Sequence, residues 1–380
     1  MTMKRYRRRR RRIPSWLILV VALLVAAGIT VKLICSTKPT KPADNDTTQT
    51  EQKADPDKEK KPENEKEPEP TKPAYEVIDF DGDTERYDTV YRAGDAAFEV
   101  FDYSADLAER YADLVSKTAG NLKGTASVYD LTIPLSSAIT LPDKLRDDIG
   151  GYDQEKALSN VEGMMSGDVK VVPLYDALMQ HRTEYIYFRT DHHWTARGAY
   201  YAYAEFCKAK GITAEPLDSY ETQDFNDFLG TFYRDSGNCE QLGANPDTVT
   251  AYLPKSQNAT LKFTDTSGDT YDWKVIFDVT DYPSELKYST FIAADNPYTI
   301  IENPDATSDE SCVVVKESFG NAFVPFLVDH YKTIHVIDYR YWNGNLVDFV
   351  KTNNVNDVLF VNNLSAIRSS YLMGKLPGIL

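Results

Sequence analysis

Two residues with the means for acid–base chemistry stand close together in this chain, Asp191 and His193. They belong to the run RTDHHW at 189–194, which holds two of the five His residues. In an extended segment, side chains two residues apart point to the same side. One short stretch could therefore supply a general base and the carboxylate that orients it. Such a pair also occurs in ordinary polar clusters, so it needs a partner to indicate catalysis.

Ser318 is the candidate partner. It follows the apolar run at 312–315 and precedes a helical pattern, in the sequence VVVKESFGN at 313–321. This order predicts a buried strand, a turn and a helix, with Ser318 at the carboxyl edge of a parallel sheet, where α/β proteins bind ligands. A serine in this position is also a common helix N-cap. Taken together, Asp191, His193 and Ser318 complete a Ser-His-Asp set, which is defined by roles and geometry and not by chain order.

Further residues could help to bind a substrate or a developing oxyanion. Gly320 would let a substrate approach the backbone, and N–H groups at a helix start attract negative charge. Other polar residues follow predicted strands or begin the helix, and each has an alternative role as a cap or an ion-pair partner. These candidates are Asn321, Arg340, Asn362 and Asn363, while His192 and Trp194 neighbour the catalytic pair.

Asp-His-His also occurs in metal-dependent phosphoesterases. A two-metal site would need further ligands, and the chain offers only Asp81, Asp83 and His181 for that role. We therefore predict no metal and no cofactor.

Strands that alternate with helices must position these groups. The hydrophobic pattern predicts a parallel three-layer α/β sheet. The predicted strands are 126–133, 169–172, 185–188, 311–315, 333–337 and 358–361, and the predicted helices are 104–117, 152–165, 173–181, 195–210, 321–331 and 346–353.

Residues 212–309 interrupt this rhythm. They are rich in Asp, Asn, Thr, Ser and Tyr, and short β-type runs at 249–253, 261–264 and 274–279 predict a β-rich insertion. Cys207, Cys239 and Cys312 allow at most one disulfide among themselves.

The amino-terminal part predicts a membrane anchor. Residues 1–12 are strongly basic, and residues 13–34 are mainly apolar and carry no charge except Lys32, about the 20 residues that cross a bilayer. Basic residues stay on the cytoplasmic side, so the body should lie outside. A cleaved signal peptide is the main alternative, and lipidation at Cys35 is a second one.

A polar linker separates this span from the body. Residues 36–74 consist mainly of Thr, Pro, Glu, Asp and Lys, a composition that predicts a disordered, extended spacer. Residues 36–380 contain 33 basic residues and all 58 acidic residues, a net charge of −25. This charge argues against a nucleic-acid partner for the body at 75–380.

The sequence around the Asp-His pair resembles the DHHW family of Gram-positive bacteria, which is similar to the SGNH-hydrolase-like alginate O-acetylation proteins. The resemblance rests on YFRTDHHWT at 187–195 and on a serine after an apolar strand. Matched by position, it implies Asp191, His193 and Ser318 as the catalytic residues. The block here is KESFG at 316–320, whereas relatives more often have Gly-Asp/Thr-Ser, so Glu317 departs from the pattern.

The resemblance implies an SGNH-like fold and O-acetyl transfer to, or esterase action on, a cell-surface polysaccharide. It also implies a multispanning membrane O-acyltransferase as a partner that supplies acetyl groups. The alternative is an envelope protein that binds glycans without turnover. The distance between Ser318 and His193 distinguishes the two, because a base must come within hydrogen-bond reach of its nucleophile.

Overall fold

A mixed eight-stranded sheet forms the centre of the structure. The computed structural model of the chain describes residues 75–380. The basic tail, the apolar span, Cys35 and the linker lie outside these residues, so those predictions stay predictions. Within 75–380, no helix has both the length and the apolar composition needed to cross a membrane.

The strand order in this sheet is β5-β4-β13-β11-β12-β10-β8-β9. The first five strands run parallel, and β10, β8 and β9 are antiparallel at one edge. A small antiparallel sheet, β1-β2-β3, and the pair β6-β7 complete the β structure. The strands are β1 Thr84–Tyr87, β2 Val90–Ala93, β3 Ala96–Glu99, β4 Ser127–Ile133, β5 Val169–Val171, β6 Glu221–Phe228, β7 Asp247–Leu253, β8 Thr260–Thr264, β9 Thr270–Trp273, β10 Tyr298–Glu302, β11 Ser311–Lys316, β12 Thr333–Asp338 and β13 Asp357–Asn363.

Helices connect the parallel strands. They are α1 Ala105–Leu122, α2 Ser136–Ile139, α3 Arg146–Ile149, α4 Gln154–Met164, α5 Tyr175–Met179, α6 Ala196–Lys210, α7 Thr231–Asp235, α8 Glu240–Gly243, α9 Gly320–Phe323, α10 Leu346–Asn353, α11 Leu364–Ile367 and α12 Ser370–Lys375. The 3₁₀ segments are Asp143–Leu145, Leu217–Ser219, Ser284–Thr290, Val324–Leu327 and Leu376–Gly378.

Helices cover both faces of the parallel strands. On one face, Tyr111 and Val115 of α1 pack in one cluster with Val313 and Val315 of β11. On the other face, the ring of Phe206 in α6 contacts the ring of Tyr129 in β4, with ring centroids 5.1 Å apart. Burial on both sides explains why β11 is a continuous apolar run and not an alternating one. The predicted α/β class is confirmed, but the sheet is mixed and not wholly parallel as predicted, because β10, β8 and β9 form an antiparallel edge.

Helix α6 begins and ends where the sequence predicts. The Thr195 side chain accepts a hydrogen bond from the Gly198 N–H, and Gly211 ends the helix in the left-handed region at φ 82°. Helix α1, by contrast, continues past Gly120 to Leu122. Leu122 is fully buried, and burying a leucine contributes about 1.5–3 kcal/mol, more than the roughly 1 kcal/mol cost of a helical glycine.

The predicted strand at 185–188 is wrong. This segment forms only an isolated bridge between Tyr187 and Trp194, because the chain folds back on itself within eight residues. The Phe188 N–H donates to the His193 carbonyl oxygen, and the Thr195 N–H donates to the Ile186 carbonyl oxygen. β-type residues therefore form one side of a narrow loop that holds the Asp-His pair.

Two other predictions change in the structure. The stretch at 212–309 contributes β6–β10, of which β8–β10 extend the main sheet, and the predicted strand at 274–279 is reduced to a bridge between Ile276 and Phe291. The predicted helix at 321–331 is instead the single turn α9 followed by a 3₁₀ segment. Pro325 lies in that segment and has no N–H for a continuing α-helix.

All three cysteines of the described residues, Cys207, Cys239 and Cys312, are free and buried. None of them forms a disulfide with another.

Candidate active site

Ser318 lies in the turn between β11 and α9. Strand β11 runs parallel between β12 and β13, so Ser318 is at the carboxyl edge of the sheet, as the sequence predicts. Its carbonyl oxygen accepts hydrogen bonds from the Asn321 N–H at 3.2 Å and from the Tyr288 hydroxyl at 3.1 Å. These two bonds fix the backbone of the turn, while the Ser318 side chain remains partly exposed.

The loop with the Asp-His pair is fastened by a buried carboxylate on β7. Asp247 accepts hydrogen bonds from the backbone N–H of Arg189 at 3.1 Å and of Thr190 at 2.7 Å. The Thr190 hydroxyl and the Arg189 guanidinium donate to the same carboxylate. The backbone N–H groups of the loop, which would otherwise lack acceptors, are therefore hydrogen-bonded. These bonds fix the position of the loop.

Asp191 holds the imidazole of His193. One carboxylate oxygen accepts from the His193 backbone N–H at 3.0 Å and from His193 Nδ1 at 2.6 Å. The other oxygen accepts from the Thr231 N–H at 2.8 Å. Asp191 and His193 therefore meet in a local turn, in which the Asp191 side chain bonds the backbone two residues later. They do not lie on one side of an extended segment, as predicted from the sequence. Gly230 makes the approach of Thr231 possible, since a Cβ there would lie 2.2 Å from the Asp191 Cβ.

His193 joins the loop to the nucleophile turn. Its Nε2 lies 2.7 Å from Ser318 Oγ, across 125 residues of sequence. With Nδ1 protonated toward Asp191, Nε2 is free to accept the Ser318 proton. The structure thus brings Asp191, His193 and Ser318 into one hydrogen-bonded chain with the geometry of a nucleophile, its base and the group that orients the base.

The charges around this chain favour an ionised Asp191. Burial alone would raise the pKa of Asp191, but the neighbouring His193, then His192, and the Thr231 N–H hold it well below its usual range. Burial together with the adjacent His193 lowers the pKa of His192 to about 3. At this pKa, His192 is neutral near pH 7. Its Nδ1 shares a hydrogen bond of 2.6 Å with the Thr231 hydroxyl, and this bond supports the loop beside the triad.

Aromatic rings enclose His193. The Tyr288 ring stacks on the imidazole with ring centroids 4.1 Å apart and planes at 15°. The Trp194 indole N–H donates to the Phe319 carbonyl oxygen at 2.9 Å, which ties the loop to the nucleophile turn. Tyr288 was not predicted from the sequence, and neither were Asp247, Gly230 and Thr231. They lie 37 to 95 positions from His193, and no local pattern marks them.

Gly320 and Asn321 serve the turn itself. The Gly320 N–H donates to the Glu317 carbonyl oxygen at 3.0 Å. A Cβ at Gly320 would lie 2.6 Å from the Lys316 Cβ, so the glycine allows close packing of Lys316 and not the approach of a substrate. The Asn321 N–H bonds Ser318, and its side chain donates to Asp295. The N–H groups expected to hold an oxyanion are thus already engaged.

Arg340 belongs to a cluster of four charges beside the nucleophile turn. Its guanidinium pairs with Asp338 at 2.6 Å and with Asp295 at 2.8 Å. Lys316, which is 1% exposed, pairs with the same two carboxylates. Arg340 and Lys316 together hold the pKa of Asp295 well below its usual range, although burial alone would raise it. Two cations balance two anions, so the structure favours the ion-pair role of Arg340 over the binding of a substrate.

The two asparagines at the end of β13 differ in the hydrogen bonds of their side chains. The Asn363 side chain caps α11 by accepting from the Ala366 N–H at 2.9 Å, which is its alternative role as a turn cap. Asn362 is fully buried, and its amide donates to the Tyr111 hydroxyl at 3.3 Å. Both therefore act within the fold around the site.

The ligands of a two-metal phosphoesterase site are not brought together. Asp191, His192 and His193 lie close enough to share an ion, but both ring nitrogens of His193 already face Asp191 and Ser318. Asp83 pairs with Arg92, and His181 bonds Glu184. Neither residue joins the group at Asp191, His192 and His193.

The family model of the DHHW protein matches residues 72–337. The chain belongs to the DHHW family. The predicted family resemblance is thereby confirmed, and the matched range includes the loop at 189–194 and Ser318. A crystal structure of a DHHW family protein from Eubacterium siraeum aligns with a TM-score of 0.70 at 27% identity, over 78% of this chain and 98% of that chain.

PatB1 of Bacillus cereus has the same fold. Its structure aligns with a TM-score of 0.62 at 22% identity, over 77% of this chain and 99% of that chain. The O-acetyltransferase domain of Pseudomonas putida AlgJ aligns with a TM-score of 0.39 at 14% identity, over 74% and 95% of the two chains. No curated protein matches the chain by sequence.

Proposed function

We propose that this DHHW protein is a serine O-acetyltransferase or acetylesterase that acts on a cell-surface glycan outside the membrane. The observation that carries the proposal is the chain of hydrogen bonds from Asp191 through His193 to Ser318, at 2.6 and 2.7 Å. Acetyl as the acyl group and a polysaccharide as the substrate rest on the family resemblance set out above.

The first half-reaction forms an acetyl-enzyme. Ser318 Oγ attacks the carbonyl carbon of an acetyl ester while its proton passes to His193 Nε2. Asp191 stabilises the resulting imidazolium and keeps the ring in the required tautomer. The tetrahedral intermediate then collapses. The bond to the leaving alcohol breaks, and that alcohol takes the proton from Nε2.

The second half-reaction uses the same groups in reverse. A sugar hydroxyl or a water molecule gives its proton to His193 Nε2 and attacks the acetyl carbon. The bond to Ser318 Oγ breaks, and Oγ recovers the proton. The product is an acetylated sugar for a transferase, or acetate for an esterase.

An oxyanion donor is available in the turn itself. Among the hydrogen bonds of the described residues, the N–H groups of Phe319, Gly320 and Asn321 all have acceptors, whereas the Ser318 N–H has none. We propose that the Ser318 N–H donates to the oxyanion, the role that the nucleophile's own backbone N–H has in the Ser-His-Asp template.

We further propose that residues 13–34 anchor the protein in the cell membrane, with the N-terminus cytoplasmic and the linker at 36–74 holding the body outside. A multispanning membrane O-acyltransferase would supply acetyl groups. The anchor and the linker rest on the sequence pattern, and the acyltransferase partner rests on the family resemblance.

The competing proposal is a glycan-binding protein without turnover. The distance of 2.7 Å between His193 Nε2 and Ser318 Oγ favours the enzyme, because a binding protein has no need to hold a base on a serine. The test is hydrolysis of an activated acetyl ester by the full-length chain, compared with Ser318→Ala. An enzyme loses activity in the variant. Equal rates would refute the proposal.

A further inference from the structure

Glu317 is a buried acid next to the nucleophile that the triad does not use. It is 3% exposed. One carboxylate oxygen accepts from the Phe319 N–H at 3.1 Å, and the other accepts from the Asn363 N–H at 3.1 Å. The carboxylate thereby joins the turn after β11 to the end of the neighbouring strand β13. Arg340, the nearby cation, is paired with Asp295 and Asp338 instead.

The Glu317 carboxylate also lies close to the reacting atoms. Its Oε2 is 3.4 Å from Ser318 Oγ, and that Oγ is 2.7 Å from His193 Nε2, so the carboxylate lies within about 6 Å of the imidazole. At this separation an anion stabilises a protonated imidazole measurably in a partly buried site. The imidazolium that forms during acyl transfer would then lie between two carboxylates, Asp191 and Glu317.

The pKa of Glu317 lies above its usual value. Burial raises the pKa of Glu317, while Arg340, His193 and the two backbone N–H groups oppose that rise. Other ionisable groups near Glu317 or His193 are two phenols, a neutral imidazole and the triad carboxylate: Tyr288, Tyr339, His192 and Asp191. Burial raises the pKa of both phenols well above the ordinary value, so neither adds charge near neutral pH.

We propose that Glu317 is a positioning residue with two effects: its carboxylate fixes the turn that carries Ser318, and its negative charge makes His193 a stronger base. This inference rests on the proposed function, since it requires a reactive pair of Ser318 and His193. It also gives a physical role to the residue at which KESFG departs from the family pattern.

The test measures the reactivity of Ser318 without a natural substrate. Phenylmethylsulfonyl fluoride forms a bond from Ser318 Oγ to its sulfur, fluoride leaves, and the serine proton passes through His193 to water. The rate of labelling of the full-length chain is followed against pH by mass spectrometry of the peptide that contains Ser318. The midpoint of the acid limb reports the protonation of His193, and the plateau reports the geometry.

Two substitutions separate charge from position. Glu317→Gln removes the charge, so the midpoint should fall by about one pH unit and the plateau should fall about tenfold. Glu317→Asp keeps the charge but is one methylene too short to reach both N–H groups. Its midpoint should stay within about 0.3 pH unit of the wild-type value, while its plateau falls. If Glu317→Gln does not fold, Glu317→Asn and Glu317→Asp provide the same comparison at equal length.

The matched control is Glu310→Gln. Glu310 precedes the same strand, β11, about 20 Å from Glu317, and pairs with Lys210. This variant should keep both the midpoint and the plateau. A Glu317→Gln protein with an unchanged midpoint overturns the inference, even if its plateau falls, because a structural role alone lowers the plateau. A wild-type chain that is not labelled at Ser318 would instead refute the proposed function.

Discussion

Replacing Gly230 with alanine should disable the site although no triad residue is replaced. A Cβ at this position would lie 2.2 Å from the Asp191 Cβ and 2.3 Å from its Oδ2, whereas carbon atoms pack at about 3.5–4.0 Å. Asp191 is nearly fully buried and held by His193 and Thr231, so its side chain cannot rotate away freely. We expect Asp191 and the Thr231 backbone to separate by about 1 Å or more, which breaks their hydrogen bond.

The size of the effect follows from that displacement. Forcing a side chain into filled space costs about 1–3 kcal/mol of stability, and an error of about 1 Å in a catalytic group costs about 100-fold in rate, or about 2.7 kcal/mol of activation free energy. The assays are thermal unfolding and the rate of Ser318 labelling by a sulfonyl fluoride. The control is Gly163→Ala in α4, where a Cβ meets no atom within 4 Å and an alanine favours the helix. A Gly230→Ala protein with wild-type labelling would refute this account of how Asp191 is held.

Three further predictions concern the triad, the buried carboxylate of Asp130 and the amino-terminal anchor. Ser318→Ala and His193→Ala should each abolish acetyl-ester hydrolysis, since members of a triad act as a unit. His192→Ala should keep substantial activity. An inactive His192→Ala protein together with an active His193→Ala protein would show that His192 is the base. Burial raises the pKa of Asp130 to about 6, above its value in the unfolded chain, so the folded state binds this proton more tightly. The protein should therefore lose up to about 3 kcal/mol of stability as the pH rises from about 4 to about 6. Asp130→Asn should flatten this part of the pH–stability curve in denaturant titrations. The full-length protein should fractionate with membranes, and external protease should release a soluble body by cutting within residues 36–74; a secreted form without its N-terminus, found in the absence of protease, would favour a signal peptide.

The elements that carry the site were largely predictable, because they depend on local patterns. The apolar run before Ser318 predicted β11, and Thr195 and Gly211 predicted the ends of α6. Helix α10, Leu346–Asn353, has the predicted bounds. The meeting of His193 with Ser318 was inferred from residue types, and the structure places them in contact.

The remaining features depend on contacts between distant residues. The YIYF stretch at 185–188 has strand-forming residues, but the backbone N–H groups of the following loop donate to the Asp247 carboxylate, and the stretch becomes one side of a turn. Tyr288 covers His193 from a 3₁₀ segment 95 positions away. No periodicity in a single sequence identifies such a residue, because its role comes from the tertiary position of its ring.

The acetyl-enzyme is the species that tests the central claim most directly. The full-length chain would be incubated with an activated acetyl ester, quenched with acid and digested, and the peptide with Ser318 would be analysed by mass spectrometry. The account predicts one added acetyl group on Ser318 in the wild-type chain, and none at this position in His193→Ala. Acetylation that is absent from Ser318 in the wild-type chain, or that is equally frequent in His193→Ala, would contradict it.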